Sequence, residues 1–162
     1  MKTSLPLLCL LALLALPASA QEVVVGAGIT EYHDDGASGP FVFSLEIHSE
    51  PVANIGPLRL SVTGGATLDF ERDVFVGGGF SAWLPLSRSI FMEAALTPGY
   101  YHAGDDDQDL GGPVQFRSLI GAGWRMSDMA ALSLGLSHVS NAGFYDDNPG
   151  MNALSLRLRR RF

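Results

Sequence analysis

Period two governs this sequence. From residue 22 onward, apolar side chains alternate with small or polar ones in segment after segment, and that period builds strands rather than helices. Phe41, Phe43, Leu45 and Ile47 fall on one face of their segment, with Ser44, Glu46 and His48 on the other. Leu58, Leu60, Val62, Ala66 and Leu68 oppose Arg59, Ser61, Thr63, Thr67 and Asp69 in the same way. Ile90, Met92 and Leu96 oppose Phe91, Glu93 and Thr97, and Phe116, Ser118, Ile120 and Trp124 oppose Gln115, Arg117, Leu119 and Arg125. The pattern predicts eight strands, at 22–32, 40–49, 57–68, 73–84, 89–102, 113–126, 129–140 and 151–162. No stretch beyond residue 20 reaches the roughly 18 consecutive apolar residues of a spanning helix.

Residues 1–20 stand apart from this pattern. Lys2 gives a positive start, Leu5 to Leu16 an apolar run, and Ala18-Ser19-Ala20 the small residues that precede signal-peptide cleavage. Removal of this leader would leave residues 21–162 as one domain. The single cysteine, Cys9, lies inside the apolar run behind Leu8, so the mature chain would carry no thiol for disulfide or metal chemistry. Acidic residues outnumber basic ones 17 to 10, for a net charge of −7. A nucleic-acid partner, which requires a basic face, is thereby disfavoured.

Strands with one apolar face build either a soluble sandwich or a membrane barrel, depending on which face is inside. A sandwich spreads polar groups freely over its wet face. Here the non-apolar face mixes glycines (26, 28, 65, 77, 79, 99, 121, 123 and 135) with Glu93, Arg117 and Arg125. Small residues beside opposed charges suit the interior of a narrow barrel of about eight strands. The leader, the apolar stripes and strands of about 10 residues favour an all-β, eight-stranded antiparallel barrel spanning the outer membrane. An even strand number puts both termini at the periplasmic end. Residues 33–39, 104–112 and 141–150 would then be external loops, with a shorter external connection at 69–72. Pro85 to Arg88 and Ser127-Asp128 read as tight periplasmic turns, and 49–57, with Pro51 and Pro57, as a longer one.

The last hairpin carries the unusual chemistry. Leu132, Leu134, Leu136, His138 and Ser140 share one face, so His138 and Ser140 extend a lipid-facing stripe. On the following strand Asn152, Leu154, Leu156, Leu158, Arg160 and Phe162 face outward, placing Asn152 near the outer rim roughly opposite His138. Polar groups facing lipid are costly and commonly functional. The plainer reading is that the rim lies at headgroup depth, where such residues cost little.

The run His138-Val139-Ser140-Asn141-Ala142-Gly143, followed by Asn148-Pro149-Gly150 and a terminal strand ending in Phe162, resembles the lipid A 3-O-deacylase (PagL) family. Phe116-Arg117 and Gly121 to Arg125 resemble family segments as well. The resemblance implies an eight-stranded outer-membrane esterase that removes the 3-O-linked acyl chain of lipid A, with no cofactor or metal. It implies Ser140 as nucleophile and His138 as its general base, since serine is weak until an imidazole takes its proton. It also implies Asn148 and the main-chain N–H after Ser140 as an oxyanion hole, with Asn141 and Gly143 among the oxyanion and substrate contacts. The family places a Glu, which orients the His, where this chain has Asn152. Asn can hold the imidazole tautomer but supplies no charge. Asp146 and Asp147 are substitute carboxylates to weigh against plain turn residues.

The implied partners are lipid A within lipopolysaccharide and the surrounding outer-membrane lipids, and a homodimer stays open. The alternative function is a non-catalytic barrel, structural or adhesive, with a degenerate site. His33, Asp34 and Asp35, and His102 with Asp105, Asp106, Asp107 and Asp109, are oxygen-rich groups that would suit a cation but read more simply as solvated loops. Glu46, His48, Arg59, Glu93, Arg117, Arg125 and Arg157 read as a self-satisfying charge network in the lumen, and Arg159, Arg160 and Arg161 as a basic periplasmic rim.

Overall fold

The computed structural model describes residues 20–32, 38–104 and 110–162. Eight strands follow one another in chain order: β1 (Ala20–Tyr32), β2 (Ser38–Ile55), β3 (Leu58–Asp69), β4 (Val74–Pro85), β5 (Ile90–His102), β6 (Val114–Arg125), β7 (Ala130–Ser140) and β8 (Met151–Arg161). Each pairs antiparallel with the next, and β8 returns to β1, closing the barrel. Closure leaves no unpaired sheet edge, the condition for crossing a bilayer with strands. The start of β1 and the end of β8 lie at the short-turn end, which is the periplasmic one in barrels of this kind.

The alternation seen in the sequence sorts into outside and inside throughout. Phe41, Phe43, Leu45, Ile120, Leu134, Leu136, Leu154 and Leu156 are exposed on the outer wall, while the alternate positions are covered. The inside is filled in two zones. Toward the long-loop end, Phe75, Tyr101, Leu110, Val139 and Met151 form an apolar plug. Below it, Arg157, only 1% exposed, grips Glu46 through both terminal nitrogens (2.8 and 2.9 Å) and reaches Glu93 through Nε (3.1 Å). Arg117 donates to Glu46 at 2.9 Å, and Arg159 donates to Glu93 at 2.7 Å and also to Glu22. Ser133 donates to Glu93, and His48 lies 3.2 Å from Glu46. Buried charges paired in this way avoid the cost of an isolated one.

The network differs from the expected one at its lower edge. Arg59 and Arg125 make no ion pair among the described residues and instead line a cavity of about 270 Å³ at the periplasmic end. Their places are taken by Arg159, whose guanidinium also lies 4.9 Å from the centre of the Trp83 ring, and by Glu22. Period two puts Arg159 on the inner face with Arg157, leaving Arg160 and Arg161 exposed, and depth along the barrel then decides which of the inward arginines meets Glu93.

A second correction concerns residues 49–57. They form no long turn, because β2 continues to Ile55, pairing through Pro51–Ser61 and Ile55–Leu58. Register shifts on either side of Pro51 absorb a residue that cannot donate to a ladder. The Ser49 hydroxyl accepts the Val62 N–H at 3.0 Å. The hairpin then closes through Gly56-Pro57, where Gly56 takes the left-handed φ of 59°. The predicted loops at 33–39 and 104–112 fall largely outside the described residues.

Candidate active site

His138 and Ser140 stand on the outer wall at the long-loop end of β7, His138 exposed and Ser140 partly covered. Val139, between them, and Met151, beside Asn152, point inward into the apolar plug. The site is therefore carried on two strands whose alternate side chains are locked in the core, a rigid mount for a chemical group. The β7–β8 ladder pairs His138 directly with Asn152, and their side chains meet: His138 Nδ1 lies 2.9 Å from Asn152 Oδ1. An amide oxygen accepts only, so this contact assigns the proton to Nδ1 and leaves Nε2 as the basic nitrogen. Nε2 lies at the rim, against Gly150, one step beyond the last ladder pair, Val139–Met151. Ser140 occupies the same level on β7. The side chains of Ser140 and His138 share no hydrogen bond; two residues apart on one strand face, their Cβ atoms are about 6–7 Å apart by strand rise.

The loop from 141 to 150 is tied down from within. Asn141, 0% exposed, donates through Nδ2 to the carbonyls of Leu110 (3.1 Å) and Asp147 (2.6 Å) and accepts the Gly143 N–H at 2.9 Å. Phe144 N–H returns to the Asn141 carbonyl at 3.1 Å, and Ala142 and Gly143 both have positive φ, as in a type I′ turn. Asn148 Oδ1 accepts the main-chain N–H of Asn141 at 2.9 Å. The two expected oxyanion donors are thus bonded to each other. With the Asn141 and Gly143 N–H groups engaged, the Asn148 Nδ2 is the one of the three that stays open among the described residues. Asp146 and Asp147 are exposed, and neither carboxylate bonds the imidazole.

Several neighbours escaped the sequence reading. Phe116 pairs across the ladder with Ser140, and Phe144 stacks on it at 5.5 Å, giving the serine an aromatic wall. Leu110 ties the preceding external loop to Asn141 and also accepts from Gln115 at 3.0 Å. At Gly150, φ is 73° and a Cβ would stand 3.0 Å from His138 Cε1, so the loop reaches the ring only because this residue lacks a side chain. Glu31, exposed on β1, pairs directly with Asn152. The signal for Glu31 was available: it extends the outward Val25–Ala27–Ile29 row, but nothing local said which strand would lie beside it. Among the described residues no cluster of three or more His, Cys, Asp or Glu is arranged to hold a metal ion. The acidic groups at 33–35 and 105–109 lie outside those residues.

Comparison with known proteins bears on the fold and the family. The crystal structure of the outer membrane enzyme PagL superimposes with a TM-score of 0.66 at 22% identity, covering 87% of this chain and 99% of that one. Neisserial surface protein A (NspA) gives 0.55 at 16%, covering 87% and 95%. Ail, the attachment invasion locus protein of Yersinia pestis, gives 0.53 at 12%, covering 88% and 99%. At these identities the likenesses establish the fold, an integral barrel of the bacterial outer membrane. No curated protein matches the sequence. The family model for lipid A 3-O-deacylase (PagL) matches residues 53–161, and this chain belongs to that family.

Proposed function

We propose that this protein is a serine esterase that removes the 3-O-linked acyl chain of lipid A in the outer leaflet, made with a cleavable leader at residues 1–20. The observation that carries the reading is the His138–Asn152 hydrogen bond of 2.9 Å on the lipid-facing wall, with Ser140 on the same strand face. A soluble substrate would have no reason to be met there. An acyl chain lies along the apolar strip of Ile120, Leu134, Leu136 and Leu154, with its ester carbonyl at Ser140 beside Phe116 and Phe144.

In this mechanism the Ser140 hydroxyl attacks the ester carbonyl while His138 Nε2 takes its proton. Asn152 holds the Nδ1–H tautomer throughout. The Asn148 amide donates to the developing oxyanion. His138 then protonates the departing sugar oxygen, leaving an acyl-enzyme that water hydrolyses with the imidazole again acting as base. Released 3-O-linked fatty acid, quantified by mass spectrometry after incubating the folded protein with lipid A, tests the reading; a folded protein that releases none sinks it. The competing reading, a non-catalytic barrel, draws on the neutral Asn152 and on the lack of a Ser140–His138 hydrogen bond.

The loop geometry adds a sharper expectation. Gly150→Ala puts a methyl against His138 Cε1 at a strained φ, displacing the ring or the loop. Deacylation should fall by about tenfold to 10²-fold, the penalty for misplacing a reacting group by about 1 Å. The barrel, sealed elsewhere, should keep its compact electrophoretic mobility before heating. Full activity in this variant would mean that the loop does not set the position of the imidazole.

A further inference from the structure

One row of side chains crosses the outer wall: Ser118 on β6, His138 on β7, Asn152 on β8 and Glu31 on β1, each paired directly with the next. The β1–β8 ladder runs without a break from Glu22–Arg161 to Tyr32–Met151, so Glu31 is held at the level of Asn152 even though β1 shifts register against β2 just before it. Residues directly opposed in an antiparallel pair have Cβ atoms about 4.5–5.5 Å apart and project to one side. Glu31 is exposed, and its carboxylate makes no hydrogen bond or ion pair among the described residues.

The chemistry of the site asks for such a group. As Ser140 is deprotonated the His138 ring becomes a cation, and the amide bonded to it carries no charge to stabilise that cation. Asn152 spends its oxygen on His138 Nδ1. Its amide nitrogen still has two N–H donors, and the nearest side chain in the row on that side is Glu31. We propose that Glu31 is a positioning residue of the deacylase site, supplying across the β1–β8 ladder, through Asn152, the negative charge that the imidazole lacks. This rests on the esterase reading given above. A carboxylate accepting from Nδ2 fixes the amide with its oxygen toward His138, and its charge favours the imidazolium across the ladder. The other charged groups on the loop joining β7 to β8 are Asp146 and Asp147, both exposed and neither bonded to the imidazole, while β6 presents only the Ser118 hydroxyl opposite His138.

The test uses the full barrel in detergent micelles with purified lipid A, following fatty-acid release against pH, and His138 itself by NMR of carbon-13-labelled imidazoles. Glu31→Gln should lower kcat by about tenfold with KM little changed, the scale of one lost charge at this range. With that negative charge gone His138 protonates less readily. The acid limb of the pH–rate profile, which reports the base in its neutral form, should therefore move to lower pH. The NMR titration of His138 should move in the same direction. Glu31→Asp should keep part of the rate. Asn152→Glu should restore both the rate and the acid limb in the Glu31→Gln background, and should gain less in the wild-type background. An active, Ser140-dependent protein whose kcat and acid limb ignore Glu31→Gln overturns the assignment. A wild type that releases no fatty acid overturns the esterase reading instead; the NMR arm then decides by itself, and an unmoved His138 titration in Glu31→Gln rejects the relay.

Discussion

Ser140→Ala and His138→Ala should each cut 3-O-deacylation of lipid A by on the order of 10³-fold or more. That is less than the roughly 10⁶ lost by a complete Ser-His-Asp site, because a site with a neutral orienting residue starts from a lower rate. The two losses should not add. Nucleophile and base act in one step, so Ser140→Ala in the His138→Ala background should cost little further. Stability should be almost untouched, since both side chains stand on the outer wall and their inward neighbour Val139 keeps the plug intact. Fatty-acid release under single-turnover conditions, alongside heat-dependent electrophoretic mobility, separates the two effects. If Ser140→Ala retains wild-type release while folded, the nucleophile lies elsewhere and the site has been misread. If only His138→Ala loses activity, the imidazole activates water directly and no acyl-enzyme forms.

The largest expected effect on stability lies inside the barrel. Arg157→Met removes the guanidinium that bridges Glu46 and Glu93 and leaves two buried carboxylates short of their main partner. Removing one member of a buried ion pair costs about 3–5 kcal/mol, because the remaining charge stays desolvated. The lower part of that range is expected here: Glu46 keeps Arg117 and Glu93 keeps Arg159. Combining Arg157→Met with Glu46→Gln should cost less than the two changes separately, as neighbours in one network couple. Unfolding in urea from lipid vesicles can be followed by tryptophan fluorescence. Trp83, stacked on Phe91 at 3.6 Å beneath Arg159, reports on the lumen. A double variant as unstable as the sum of the singles would show that the network behaves as independent pairs.

Strand identity, sidedness and the lumen glycines were legible in the sequence because a period of two is a local property: each residue's face follows from its neighbour's. The same rule put His138, Ser140 and Asn152 on the apolar face, which the barrel turns outward. The motif from His138 to Gly150 carried the family resemblance, and the ladder then brought His138 and Asn152 to 2.9 Å. Other features depended on which strands become neighbours, and no local pattern encodes that. The bulged run of β2 past Pro51 needed β3 to pair with it. The exclusion of Arg59 and Arg125 from the charge network, and the entry of Arg159 and Glu22, depended on depth along the barrel axis. The engagement of Asn141 with Leu110 joined two loops 31 residues apart. Above all, Glu31 and Asn152 lie in the first and last strands, β1 and β8, and become neighbours only when β8 closes on β1. Alternation chose the face of each side chain; closure of the barrel chose its company.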